Sequence, residues 1–178
     1  VNATRLFVLG ALARGGPLHG HGIRRAAQTD RTELWTEVKP GSLYGALGRM
    51  AAEGLIEAVC TERAGNLPER TVYGITGKGC AELARLVGAI LRDTRLRPDP
   101  VDLALVYTDD MPADELRELV EQRRHSYAAQ LESFRALYDE AKPHLQGLEP
   151  VTFCHVVARL EAEVAFHDQL LDQLKGNR

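Results

Sequence analysis

No run of apolar residues in this chain is long enough to span a bilayer, and no signal-peptide pattern is present. A cytoplasmic protein with no membrane partner is expected. Cysteine is scarce: Cys60, Cys80 and Cys154 are an odd, widely spaced set with no metal-ligand pairing. They are expected to be reduced packing residues, which excludes a disulfide framework and a cysteine-held metal. Nucleophile-elbow, P-loop and dinucleotide fingerprints are all missing, so an enzyme is the least favoured reading and no cofactor is expected. His19-Gly20-His21 has no third ligand nearby in sequence and is better read as a helix start than as a metal pair. The single tryptophan, Trp35, follows Leu34 and is read as a core residue in preference to a platform for an aromatic effector.

The charge is divided unevenly. Residues 1–97 hold fourteen Lys and Arg against nine Asp and Glu, a net +5, whereas residues 98–178 hold eight against sixteen, a net −8. A basic nucleic-acid-binding half joined to an acidic assembly half would have this distribution. At 178 residues the chain supports one domain or two small ones with a real core. Arg97-Pro98-Asp99-Pro100 marks the boundary, giving units at 1–97 and 98–178.

The densest information lies between Val38 and Thr76. Pro40 and Gly41 break what precedes, Ser42 suits a helix start, and Gly54 is a typical stop. Between them Leu43, Leu47, Met50 and Ala51 form one apolar face, leaving Tyr44, Gly45, Gly48, Arg49 and Ala52 outward. Two outward glycines cost roughly 1 kcal/mol each in helix propensity, a sacrifice that close approach of a groove wall or phosphate backbone would explain. Ile56, Ala58 and Cys60 then alternate with Glu57, Val59 and Thr61 as in a half-buried strand. Ala64-Gly65-Asn66 supplies turn chemistry, Pro68 suits a strand start, and Thr71, Tyr73 and Ile75 alternate on the return strand. Helix, glycine stop and a hairpin flanked by Arg63 and Arg70 make the order of a winged helix. In that fold the helix enters the major groove and the hairpin touches flanking backbone.

Several separated motifs carry a family likeness. Leu6 to Leu12 with Pro17-Leu18-His19-Gly20-His21-Gly22-Ile23, then Pro40-Gly41-Ser42-Leu43-Tyr44 with Ala46-Leu47 and Glu53-Gly54-Leu55-Ile56, form the first part. Pro68-Glu69-Arg70-Thr71-Val72-Tyr73 with Ile75-Thr76 and Gly79 completes it. In these motifs and their spacing, roughly residues 4 to 90 resemble the PadR family of bacterial transcriptional regulators. Two positions depart from the family pattern: Leu67 stands where relatives often carry a basic wing residue, and His21 replaces the usual aromatic. The resemblance implies a homodimer held by terminal helices and a response to phenolic, drug-like or other small molecules.

Beyond the wing, Thr76 is expected to cap a helix whose apolar stripe is Leu83, Leu86, Val87, Ile90 and Leu91. Asp102 to Tyr107 reads as a short helix. Leu116, Val120, Tyr127, Leu131, Phe134, Tyr138 and Ala141 line a long one that ends near Pro143, and Gly147, Glu149 and Pro150 mark a turn. In the last helix Phe153, Val157, Leu160, Val164, His167, Leu171 and Leu174 recur in steps of four and three, a coiled-coil seam. The seam could pack within its own subunit, but a second copy of the chain is the favoured partner. His167 is expected to be packed and hydrogen-bonded.

The sequence thus predicts a mainly α protein: an N-terminal winged helix-turn-helix of three helices and a β-hairpin wing, then a C-terminal helical dimerisation region. Ser42, Tyr44 and Arg49 are the expected DNA-facing residues of the recognition helix, with Lys39 on its approach and Arg70, Asn66 and Arg63 on the wing. The expected partners are double-stranded DNA carrying an inverted-repeat operator, a second copy of the chain, and a small aromatic or drug-like effector. The alternative is a winged-helix module for protein contact or signalling, whose basic wing is incidental.

Overall fold

The computed structural model describes residues 3–29, 40–62 and 70–176. The chain forms two compact units, Val1–Leu96 and Arg97–Arg178.

In the first unit, α1 (Ala3–Gly15), α2 (Gly20–Thr29) and α3 (Pro40–Ala52) enclose a core with α4 (Gly77–Arg92). Val8, Leu9 and Leu12 of α1 meet Ile23 of α2, Leu43, Leu47 and Met50 of α3 and Leu86 of α4. Burying each such side chain contributes about 1.5–3 kcal/mol, so these four helices hold one another in place. Leu43, Leu47 and Met50 are buried and Ala51 half-buried, while Tyr44, Gly45, Gly48, Arg49 and Ala52 are exposed, as the periodicity predicts. Gly54 ends α3 with φ 71°, a conformation that glycine adopts without penalty.

The sheet has three antiparallel strands in the order β1-β3-β2, with β1 at Leu18–His19, β2 at Ile56–Glu62 and β3 at Arg70–Ile75. The two-residue β1 went unread in the sequence, where its residues pass for a helix start. It pairs Leu18 with Tyr73 and His19 with Val72. The expected alternation on β2 is not realised as burial: Ile56 is buried, but Ala58 and Cys60 are exposed. β2 leaves the core after Ile56, and a bulge between Ala58 and Cys60 shifts its pairing with β3. On β3 the buried positions are Val72 and Gly74, with Thr71, Tyr73 and Ile75 half-buried.

Thr76 caps α4 as expected, accepting from the Gly79 N–H at 3.1 Å. The α4 stripe is shorter than predicted. Leu86 is buried and Leu83 half-buried, but Val87, Ile90 and Leu91 are exposed, because the core of this unit ends one turn earlier. The three cysteines are likewise exposed and are not packing residues. Each lies on a face that its strand or helix turns to solvent.

The second unit holds α5 (Pro100–Val106), capped by Asp99, then α6 (Ala113–Ala141), a short 3-10 turn at Lys142–His144 and α7 (Glu149–Gly176). The long helices α6 and α7 pack along each other. Val120 and Leu131 are the buried residues of α6, and Leu116, Tyr127, Phe134, Tyr138 and Ala141 are half-buried on the predicted face. None of the helices among the described residues is long and apolar enough to cross a membrane.

Candidate nucleic-acid interface

The outward face of α3 carries the exposed ring of Tyr44 and the side chain of Arg49. The Arg49 guanidinium folds back along its own helix, 3.4 Å from where a Cβ on Gly45 would stand. Gly45 thus has an intrachain neighbour. Gly48 does not: among the described residues nothing lies within 4 Å of a Cβ built there, so none of them requires a glycine. Arg49 and Arg70 form no ion pair among the described residues.

A cavity of about 370 Å³ opens between α2, α3 and β3, lined by His19, His21, Tyr44, Arg70, Thr71 and Tyr73 among others. Gly20 shapes it. A Cβ at that position would stand 2.9 Å from Cε1 of Tyr44, so glycine lets the tyrosine ring lie against the start of α2. His19 is oriented by its Nδ1, which accepts from the Gly22 N–H at 2.7 Å. The neutral ring must then carry its proton on Nε2. Tyr44 and Arg70, named from separate motifs, therefore share one cavity. His19, His21 and Thr71 were not predicted as part of it. The only signal for the histidines was the His-Gly-His motif, whose local role as a helix start hides a long-range one.

Of the other predicted DNA-facing residues, Ser42 lies in the first turn of α3, with its side chain outside the described residues. Lys39, Arg63 and Asn66 also lie outside the described residues, as do Leu34, Trp35, Leu67 and Pro68.

In the second unit the predicted seam has a partner within the chain. Phe153 is buried, its ring 5.3 Å from Tyr138 and 5.7 Å from Phe134 of α6. Val157, Leu160, Val164, Leu171 and Leu174 are half-buried. His167 is 1% exposed and fully hydrogen-bonded. Its Nδ1 lies 2.7 Å from the Glu163 carbonyl oxygen, and its Nε2 accepts from Nε of Arg123 at 3.1 Å. Arginine can only donate, so Nε2 is the acceptor and Nδ1–H donates to the Glu163 carbonyl oxygen. The same arginine donates through Nη2 to Asp99 and to the Tyr127 hydroxyl, both at 3.0 Å. Burial pushes the Tyr127 phenol above its ordinary value, with the Arg123 charge opposing, so the hydroxyl stays neutral. One arginine thus ties the cap of α5 to the centre of the α6–α7 pair. Arg124–Asp168 at 2.9 Å and Arg135–Glu161 at 2.6 Å join the two long helices further. Among the described residues no three His, Cys, Asp or Glu side chains gather as a metal site.

A core of α1, α2 and α3 closed by α4, an outward face on α3 and a hairpin behind it define a winged helix-turn-helix, the head of a DNA-binding transcriptional regulator. Residues 8–85 match the transcriptional regulator PadR-like family. No curated protein matches the chain. Among solved structures it is similar to Bacillus subtilis PadR in complex with operator DNA, at 19% identity and a TM-score of 0.75, covering 98% of each chain. Bacillus subtilis PadR in complex with p-coumaric acid matches at 18% identity and TM-score 0.75, over 98% of this chain and 99% of that one. The Vibrio cholerae virulence activator AphA matches at 16% and 0.74, over 98% and 99%. The fold likeness therefore runs through both units.

Proposed function

We propose that this regulator is a cytoplasmic homodimeric repressor that binds an inverted-repeat operator and is released by a small aromatic or drug-like effector. Residues 1–97 form its DNA-binding domain with the linking helix, and residues 98–178 its dimerisation domain. The observation that carries the reading is the outward face of α3, where Gly48 has no neighbour among the described residues, beside the exposed Tyr44 and an Arg49 with no ion pair among those residues. A glycine there costs helix propensity and serves no contact among the described residues, whereas a groove wall could approach it closely. Ser42, Tyr44 and Arg49 face DNA from the recognition helix, with Lys39 on the approach. Arg70, Asn66 and Arg63 meet backbone phosphate from the wing. Gly45, Gly48 and Ala52 offer no hydrogen bonds to bases, so specificity rests on these few side chains and on DNA shape.

The dimer uses α7, through Phe153, Val157, Leu160, Val164, Leu171 and Leu174. All but Phe153 are only half-buried in the single chain, which leaves part of the seam for a second copy. The effector follows from the p-coumaric acid complex of the Bacillus subtilis protein, a property of that relative which this chain is proposed to share in kind.

Two heads on a rigid dimer reach half-sites about one helical turn apart, roughly 34–36 Å. The test is footprinting of the purified protein on the promoter region of its own gene. Protection of an inverted repeat near that spacing, lost when half a turn is inserted between the halves, is the expected result. Undiminished protection after the insertion rejects the rigid dimer. No protection of any fragment favours the protein-contact module instead.

A further inference from the structure

We infer that the cavity between α2, α3 and β3 is a seat for one backbone phosphate of the bound DNA, held by Arg70, Thr71, Tyr44 and His19 together. The inference rests on the DNA-binding reading above and deepens it, since it turns separate contacts into one site. The lining is polar, and no carboxylate belongs to it among the described residues. Its groups are donors of complementary kinds. Arg70 supplies a guanidinium with no ion pair among the described residues. Tyr44 and Thr71 supply hydroxyls from α3 and β3. His19 supplies an Nε2–H, because its Nδ1 is committed to the Gly22 N–H. A cationic fork surrounded by further donors, with no carboxylate among the described lining residues, suits a phosphodiester oxygen pair. Its volume of about 370 Å³ exceeds what one such group needs, and its lining includes the exposed Tyr44 of the outward α3 face. A phosphate can therefore enter while still attached to a duplex.

Gly20 has a second meaning in this light. By letting the Tyr44 ring lie on the start of α2, it brings a recognition-helix side chain to the same spot as a wing-strand arginine. Backbone contacts fix register on the duplex without reading sequence. This seat would set how α3 enters the groove, with the base contacts on the rest of its face.

The experiment uses the full-length protein and the promoter duplex that it protects, with each phosphate in turn replaced by a neutral methylphosphonate. Thr71→Val and Tyr44→Phe remove one hydroxyl each from partly or largely exposed positions and keep the side-chain shape, so both variants fold. Each should weaken binding by roughly tenfold, the scale of one hydrogen bond to a charged group. Arg70→Gln should also flatten the slope of log affinity against log salt by about 0.9, one phosphate contact. At one methylphosphonate position the wild type should lose affinity while all three variants lose little more, because they have already lost the same contact. If the protein binds but no position couples to all three substitutions, the shared seat is wrong and DNA binding stands. If no promoter duplex is bound, both readings fall.

Discussion

Gly79 of α4 lies directly against the carbonyl oxygen of Leu55, so closely that a Cβ on residue 79 would overlap that oxygen and stand 2.8 Å from Cγ1 of Ile75. The same carbonyl accepts from both the backbone N–H and the hydroxyl of Thr76, each at 3.1 Å. The Thr76 hydroxyl also lies 2.8 Å from the Gly54 carbonyl oxygen and 3.1 Å from the Gly79 N–H that it caps. The end of α3, the start of β2 and the start of α4 thus meet at one point.

Gly79→Ala should therefore destabilise the protein by about 1–3 kcal/mol or more, since a backbone carbonyl cannot move aside as a flexible side chain can. Thr76→Ala should cost about 0.5–2 kcal/mol through the lost cap. Urea unfolding of the two single variants and the double variant checks both values. The double variant should lose less than the sum, because the residues share the Leu55 carbonyl.

Acid should weaken the ion pairs of Glu82, chiefly the one with Arg85 inside α4 and less the one that reaches Arg5 of α1. Glu82 accepts from Arg85 at 2.7 and 2.9 Å and from Arg5 at 3.5 Å. Chiefly the Arg85 hydrogen bond holds its carboxyl down from 4.5 to about 2. A depressed carboxylate binds fewer protons folded than unfolded, so it stabilises above pH 4.5 and loses that contribution as pH falls towards about 2. Side-chain carboxyl NMR should give a Glu82 midpoint near the lower value, and Arg85→Gln should raise it. An unchanged midpoint in the variant would assign the depression to Arg5 instead.

Base reading and backbone contact should separate by mutation. Arg49→Ala should cost roughly 1–3 kcal/mol on the operator and relax sequence preference, whereas Arg70→Ala should weaken operator and random DNA alike. Fluorescence anisotropy on both duplexes measures the difference. If Arg49→Ala affects both duplexes equally, its guanidinium contacts phosphate only.

The seam of α7 should serve two neighbours. Light scattering should give twice the 19.6 kDa chain mass for the wild type and a monomer for Leu160→Glu, in which a charge is buried without a partner. Circular dichroism of that variant distinguishes the causes. A monomer with its helicity intact means that Leu160 faces a second copy, and loss of helix means that it serves α6 alone.

Much of the protein was legible because the deciding signals are local. The buried face of α3, the stop at Gly54, the cap at Thr76 and the inward face of α6 each follow from a period or a cap within a few residues. The same reasoning overreached at β2, where Ala58 and Cys60 alternate correctly yet lie exposed. A period says that a face is apolar and cannot say where the core ends. It stopped short at β1 for the opposite reason, since two residues are too few to carry any period.

By itself, then, the sequence determined the order of elements, which helix face turns outward, and the split between a basic and an acidic half. Tertiary structure alone decided what stands opposite each face. It set α6 along the α7 seam at Phe153, satisfied the buried His167 through Arg123, and brought His19, Tyr44, Arg70 and Thr71 from three elements to one cavity. Periodicity reports that a side chain needs a partner, because burial is favourable whatever the partner is. Which partner it meets depends on contacts between residues far apart in sequence, and those exist only once the chain has folded.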